Sequence, residues 1–182
     1  MTVLVDQLEF YWDAHLWPRL AGLTDDEYHW EPVPGCWGLR RDADGRVTVE
    51  GEGTRPPEPA PVTTIGWRLV HVAVGCFHTR VSAFFGDDGL PPEADMFDPR
   101  HRPAELPFTA DAALELLSDG YHRWHSAIAG LDEAALARPL GPRGGPFADD
   151  SMAALIAHVN RELMHHGGEI GLLRDLYPHL RR

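Results

Sequence analysis

From Asp150 or Ser151 to about Leu176, the apolar residues Met152, Leu155, Ile156, Val159, Leu163, Ile170, Leu173 and Leu176 recur mostly at three- and four-residue steps. Such a row faces one way only on an α-helix, so this segment must be helical and must find partners for one long stripe. It is the longest uninterrupted amphipathic signal in the chain, and Pro178 is expected to follow its end. Three further segments offer matching stripes. Val3 to Leu23 carries Val5, Leu8, Trp12, Leu16 and Leu20, with Pro18 expected to kink or end that helix. A second helix is expected from Thr63 or Thr64, natural caps, to about Phe85, where Gly86-Asp87-Asp88-Gly89 breaks it. Its buried face reads Trp67, Val70, His71, Val74, Phe77 and Val81. The third runs from a Thr109 cap to about Leu131 through Ala113, Leu116, Leu117, Tyr121, Trp124 and Ile128.

Four amphipathic helices make an all-α four-helix bundle the economical fold. The chain of 182 residues, 43% hydrophobic with six tryptophans, suffices for one core, so residues 1–182 are expected to form a single domain. Between helices one and two, Thr24 caps a short helix stopped by Pro32 and Pro34. Gly35 to Pro61 then turns rich in glycine, proline and charge. There, Trp37-Gly38-Leu39-Arg40 faces Arg46-Val47-Thr48-Val49 across Asp44-Gly45, which predicts an exposed hairpin inside a long insertion. Leu90 to Pro107 reads as proline-rich loop, and Asp132 to Ala137 as a short helical piece before Gly144-Gly145-Pro146.

The formal charge is −12, from 28 acids against 16 bases, which disfavours nucleic acid and anionic membranes as partners. Arg40, Arg41 and Arg46, with Arg181 and Arg182, are too few and too mixed with acids to reverse that. Cys36 and Cys76 lack metal-motif spacing and form at most one bridge, so a reducing compartment is the simpler expectation. The N-terminus does not resemble an export signal, and no apolar run reaches the roughly 18 residues of a membrane span. A cytoplasmic protein with a small-molecule substrate is expected.

On the last helix His158, Glu162, His165, His166 and Glu169 follow at steps of four, three, one and three. Glu162 and His166, one turn apart, can reach one ion, and His158 precedes them on the same side. His165 points about a hundred degrees away from His166. A third ligand must come from another element, and His71 lies in the apolar stripe of helix two. A buried imidazole needs a partner, and metal coordination is one such partner. The same residues admit a plainer reading: a core histidine bonded to a carboxylate or carbonyl, and a surface Glu–His pair. Two imidazoles and a carboxylate suit zinc, nickel, iron and manganese nearly alike, and three ligands leave positions open for water or substrate. His78 is expected to be a cavity wall or a group supporting the ligands, rather than a ligand itself. His15, His29, His101, His122, His125 and His179 are expected to be solvated.

Thr64-Ile65-Gly66-Trp67-Arg68-Leu69-Val70-His71-Val72 and His158-Val159-Asn160-Arg161-Glu162-Leu163-Met164-His165-His166-Gly167-Gly168-Glu169-Ile170 together resemble the DinB-like superfamily. That group of metal-binding helical bundles includes mycothiol-dependent maleylpyruvate isomerase and bacillithiol transferases. Order and spacing fit over nearly the whole chain. Many members have histidine where this chain has Glu162, and the departure resembles the mycothiol-dependent branch, in which His, Glu and His bind zinc. The resemblance therefore implies that His71, Glu162 and His166 are metal ligands. It also implies a low-molecular-weight thiol, held as thiolate on the ion, for transfer to or isomerisation of a small electrophile. His158 or Glu169 would move a proton, and Arg68 or Arg161 would hold an anionic group. The rival expectation is a non-catalytic, stress-associated metal-binding bundle, alone or as a homodimer. The Gly35–Pro61 insertion and Gly167-Gly168-Glu169 have no counterpart in the family pattern.

Overall fold

The computed structural model describes residues 2–86 and 89–181, so Asp87, Asp88 and Arg182, which figured in the expectations above, lie outside the described residues. Four long helices form the body, as the stripes predict. The first runs Thr2–Tyr11, continues as a π-helical turn over Trp12–Leu16 and returns to α over Trp17–Leu20. Pro18 does not kink or stop it. Trp17 N–H already bonds Trp12 O across the wide turn, and Pro18 sits where the α-segment restarts, a position that needs no N–H donor.

The second long helix is also composite: Ile65–Val70, a π-helical stretch His71–His78, then Thr79–Phe85. Thr64 caps it by accepting Trp67 N–H. A regular α-helix was the expectation, and the wide stretch is a correction that bears directly on the site. The third, Ala110–Ala129, is capped by Thr109, and the fourth, Met152–Leu180, by Ser151. Pro178 lies inside the fourth helix rather than beyond it. It deprives only one carbonyl near a frayed, exposed end, where the loss is small.

The second helix packs against both the third and the fourth, with the first closing the bundle against the third and fourth. Trp124, Phe77, Leu8, Ile156 and Leu163 are fully buried at the centre. Two glycines permit close approach. A Cβ at Gly120 would stand 3.0 Å from Phe77 Cβ, and one at Gly167 would collide with the Tyr11 hydroxyl, which donates to Met164 O at 3.1 Å. Gly167 thus has a packing reason that the family pattern did not supply.

The insertion forms the expected hairpin. Strand β1 (Leu39–Arg41) pairs antiparallel with β2 (Val47–Val49), Leu39 opposite Val49. It is less exposed than expected, because Leu39 is buried and the segment is pinned at its base: Trp37 N–H donates to Val62 O and Thr64 N–H to Trp37 O, both 2.9 Å. Trp67 Nε1 donates to Glu50 O at 2.9 Å, tying the hairpin to the second helix. The 90–107 loop is likewise anchored. His101, expected to be solvated, is 1% exposed, with Nδ1 2.9 Å from Ser82 Oγ and Nε2 3.1 Å from Ala94 O. His29 and His125 also acquire partners, Phe108 O at 2.9 Å and Glu9 Oε1 at 2.6 Å. Loop residues carry no periodic signal, so their burial could not be read locally. Among the described residues no helix is long and apolar enough to cross a membrane.

His78 is not a cavity wall. Its Nδ1 is buried without a partner, and burial, with Arg123 of the third helix adding, holds its pKa below the ordinary value. The unfolded chain takes up this proton near pH 6.5 whereas the fold resists it, so stability falls as pH drops below about 6.5. His78→Phe should therefore lose less melting temperature than wild type between pH 7 and pH 5. An equal loss in the two proteins would show that His78 does not contribute.

Candidate metal centre

One cavity of about 670 Å³ opens between the second helix, the fourth helix and the inner side of the insertion. His71, Glu162 and His166 all line it. His71 Nε2 and His166 Nε2 each lie 3.5 Å from the same oxygen, Glu162 Oε2. The two imidazoles meet edge to face, centroids 4.7 Å apart and planes at 73°. The indole of Trp67, one turn before His71, stacks on that ring at 5.2 Å and 9°, which fixes how it points.

A separation of 3.5 Å is long for an N–H···O hydrogen bond, whose ordinary range is about 2.7–3.2 Å. It matches the roughly 3.3 Å edge between two ligands bound about 2.0–2.1 Å from a tetrahedral ion. The donors are of the right kind. His71 is held neutral, its pKa lowered to about 4 chiefly by burial and next by the neighbouring His166, against the opposing pull of Glu162. A neutral imidazole is the ligating form.

His166 has its tautomer set by its surroundings. Its Nδ1–H donates to Glu169 Oε2 at 2.8 Å, which leaves the Nε2 lone pair directed at the cavity. The same carboxylate oxygen accepts from Arg68 Nε at 2.8 Å, and Arg68, 8% exposed, also donates to Thr63 O. Burial pushes Glu169 up, but the bonds from Arg68 and His166 outweigh it and hold the carboxylate below its usual range. Glu169 and Arg68 therefore form a chain behind His166, and both also line the cavity.

His158 lines the cavity with Nδ1 3.9 Å from Glu162 Oε1, and its pKa is lowered mainly by burial. Arg161 is exposed and points its Nη2 at His158 Nδ1, 2.7 Å away, outside the cavity lining. His165 is largely exposed, 3.6 Å from Glu169 Oε1, and forms with His166 and Glu169 a second donor group on the surface side.

Two cavity residues escaped the sequence reading. Cys76 is buried with Sγ 3.9 Å from His71 Nε2, so His71, Cys76 and Glu162 also form a donor group that fits one ion. Burial pushes its thiol up to about 12. Arg80 lines the same wall. On an α-helix five steps turn about 140° and nine turn about 180°, which would aim both away from His71. The i→i+5 bonding over His71–His78 undoes that rotation and stacks His71, Cys76 and Arg80 on one face. The only signal in the sequence was a guanidinium set amid apolar neighbours, Phe77 and Val81.

Among known proteins, a family model described as DinB superfamily matches residues 7–170. No curated protein and no solved structure gives a match. A helical bundle of this order, carrying one candidate metal-ligand group where its second and fourth helices meet, His71, Cys76 and Glu162, and another on the fourth helix, His165, His166 and Glu169, agrees with that family match over nearly the whole chain. The chain belongs to the DinB superfamily, a generally metal-binding group of proteins.

Proposed function

We propose that His71, Glu162 and His166 hold one divalent cation, zinc by family likeness, and that the protein uses it to activate a low-molecular-weight thiol for transfer to, or isomerisation of, a small electrophile. The observation that carries the reading is the pair of 3.5 Å approaches of two Nε2 atoms to one Glu162 oxygen at the wall of an open cavity. A cation there supplies Lewis acidity, which lowers the pKa of a coordinated thiol and so provides a nucleophile that the buried, protonated Cys76 is not.

The remaining roles belong to the chain's own side chains. Glu169 and Arg68 act as positioning residues, keeping His166 in the Nδ1–H tautomer and its ring aimed. His158, at the cavity beside Glu162, is the group available to move a proton to or from a bound molecule. Trp67 and the inner face of the hairpin restrict water around the reacting atoms. Arg161, outside the cavity and engaged with His158, has no part in holding a ligand.

Glu169→Ala should weaken cation affinity about 10- to 100-fold without displacing a ligand. Competition with a chelating indicator measures this, and an unchanged affinity would remove Glu169 from the assignment.

The function is tested by titrating cobalt-loaded protein with mycothiol, bacillithiol and glutathione and following visible absorption. The proposal expects a thiolate–cobalt band to grow with at least one of them, and silence with all three would defeat it. A second reading is favoured by one observation: Cys76 Sγ groups with His71 and Glu162 as donors that fit one ion, which would fill a position otherwise open to a thiol and make the ion a structural pin between helices two and four. In that case the thiolate band is present before any thiol is added and vanishes in Cys76→Ser.

A further inference from the structure

The second helix bears a cation that metal binding does not use. Arg80 is only 8% exposed, as buried as Arg68, but Arg68 is ion-paired with Glu169 while among the described residues no carboxylate lies in ion-pair range of Arg80. Its Nη1 donates to Thr79 Oγ1 at 3.0 Å and to Met96 O at 2.9 Å. Among the described residues its Nε–H has no partner and no acceptor meets Nη2. One full edge of the guanidinium is therefore unspent. Phe97 covers its face, ring centroid 5.0 Å from Cζ, and both residues line the cavity that His71, Glu162 and His166 also line.

Asp95 and Glu162 act on this guanidinium only from beyond ion-pair distance, and a buried guanidinium without a paired carboxylate is costly for a fold to keep. It is offset when a ligand supplies the charge. We infer that Arg80 is an anion subsite that takes the carboxylate of a small organic acid on its Nε–Nη2 edge. The subsite stands on Arg80 alone; that the far end of the acid meets the reactive centre rests on the function proposed above. A carboxylate fits better than a phosphate. Two parallel N–H donors on one edge match two coplanar oxygens and a single charge. A phosphate brings more charge and more oxygens, and among the described residues the two other arginines lining the cavity are engaged: Arg102 is paired with Glu52, and Arg68 with Glu169.

The test is ligand-observed NMR titration of the full chain with benzoate, its neutral isostere benzamide, and inorganic phosphate, on metal-loaded and on chelated protein. Benzoate should bind saturably in both states, with benzamide and phosphate failing to displace it. Arg80→Gln should weaken benzoate by about 10- to 100-fold, the scale of a lost charge-assisted pair. Phe97→Ala, a change at a half-exposed ring that leaves the fold intact, should weaken it about two- to fivefold. No benzoate binding by wild type, equal binding by a folded Arg80→Gln, or equal competition by phosphate would each overturn the proposal. If Arg80→Gln does not fold, Phe97→Ala and the competition arms decide, an unweakened Phe97→Ala counting against it. Benzoate binding by cobalt-loaded protein whose absorption ignores every thiol would sink the thiol function while sparing the subsite.

Discussion

His71→Ala is expected to abolish stoichiometric cation binding while leaving the bundle folded. Its ring is the one donor from the second helix imidazoles that faces Glu162 and His166, and the two remaining ligands sit one turn apart on a single helix. Such a pair alone binds weakly. Residues that merely orient a ligand are worth about 10- to 100-fold in affinity, so loss of the ligand itself should exceed about a hundredfold. Elemental analysis of tag-free protein, from cells grown with zinc, nickel, iron and manganese together, measures it directly. Wild type should retain close to one ion per chain and the variant close to none. Equal retention would mean that His71 is a hydrogen-bonded core residue, the plainer reading its sequence position also allowed. The fold should survive because the ring keeps about a third of its surface (35%) open to the cavity, so its removal leaves little sealed void.

The largest effect on stability is expected at Trp124. It is fully buried at the centre of the third helix, stacked edge-on to Phe85 at 6.0 Å in the core shared by the second, third and fourth helices. Trp124→Ala should cost about 3–5 kcal/mol, since the packed walls cannot collapse into the space of an indole. That is a large share of the roughly 5–15 kcal/mol of a whole domain, and it corresponds to a fall in melting temperature of about 10 °C or more. Trp124→Phe should lose much less. Its ring refills most of the volume, and the indole N–H it removes has no partner to forfeit. Thermal denaturation of the three proteins gives the comparison. Near-equal melting of wild type and the alanine variant would contradict the central place assigned to this side chain.

Much of the bundle was legible because its information is local. Val5, Leu8, Trp12, Leu16 and Leu20, or Met152 through Leu173, repeat at helical spacing, and Thr64, Thr109 and Ser151 cap where a side-chain oxygen precedes each stripe. The Glu162–His166 pair was legible for the same reason. His71 could be proposed as their complement because it stood in a stripe that had to face inward. The fate of the histidines was not legible. His101 is sealed under a loop, and His78 turns to the third helix, because each is governed by contacts with elements distant in sequence.

By itself the order of residues determined four helices, the caps of three of them and the candidate donors at 71, 162 and 166, since hydrophobic period and one-turn spacing act within a few residues. Only the tertiary structure decided that Glu169 and Arg68 stand behind His166, that the hairpin walls the cavity, and that Cys76 and Arg80 share its inner face. The physical reason for the last is a change of hydrogen-bond step from four to five over His71–His78, selected by packing between helices, which rotates every later side chain on that helix.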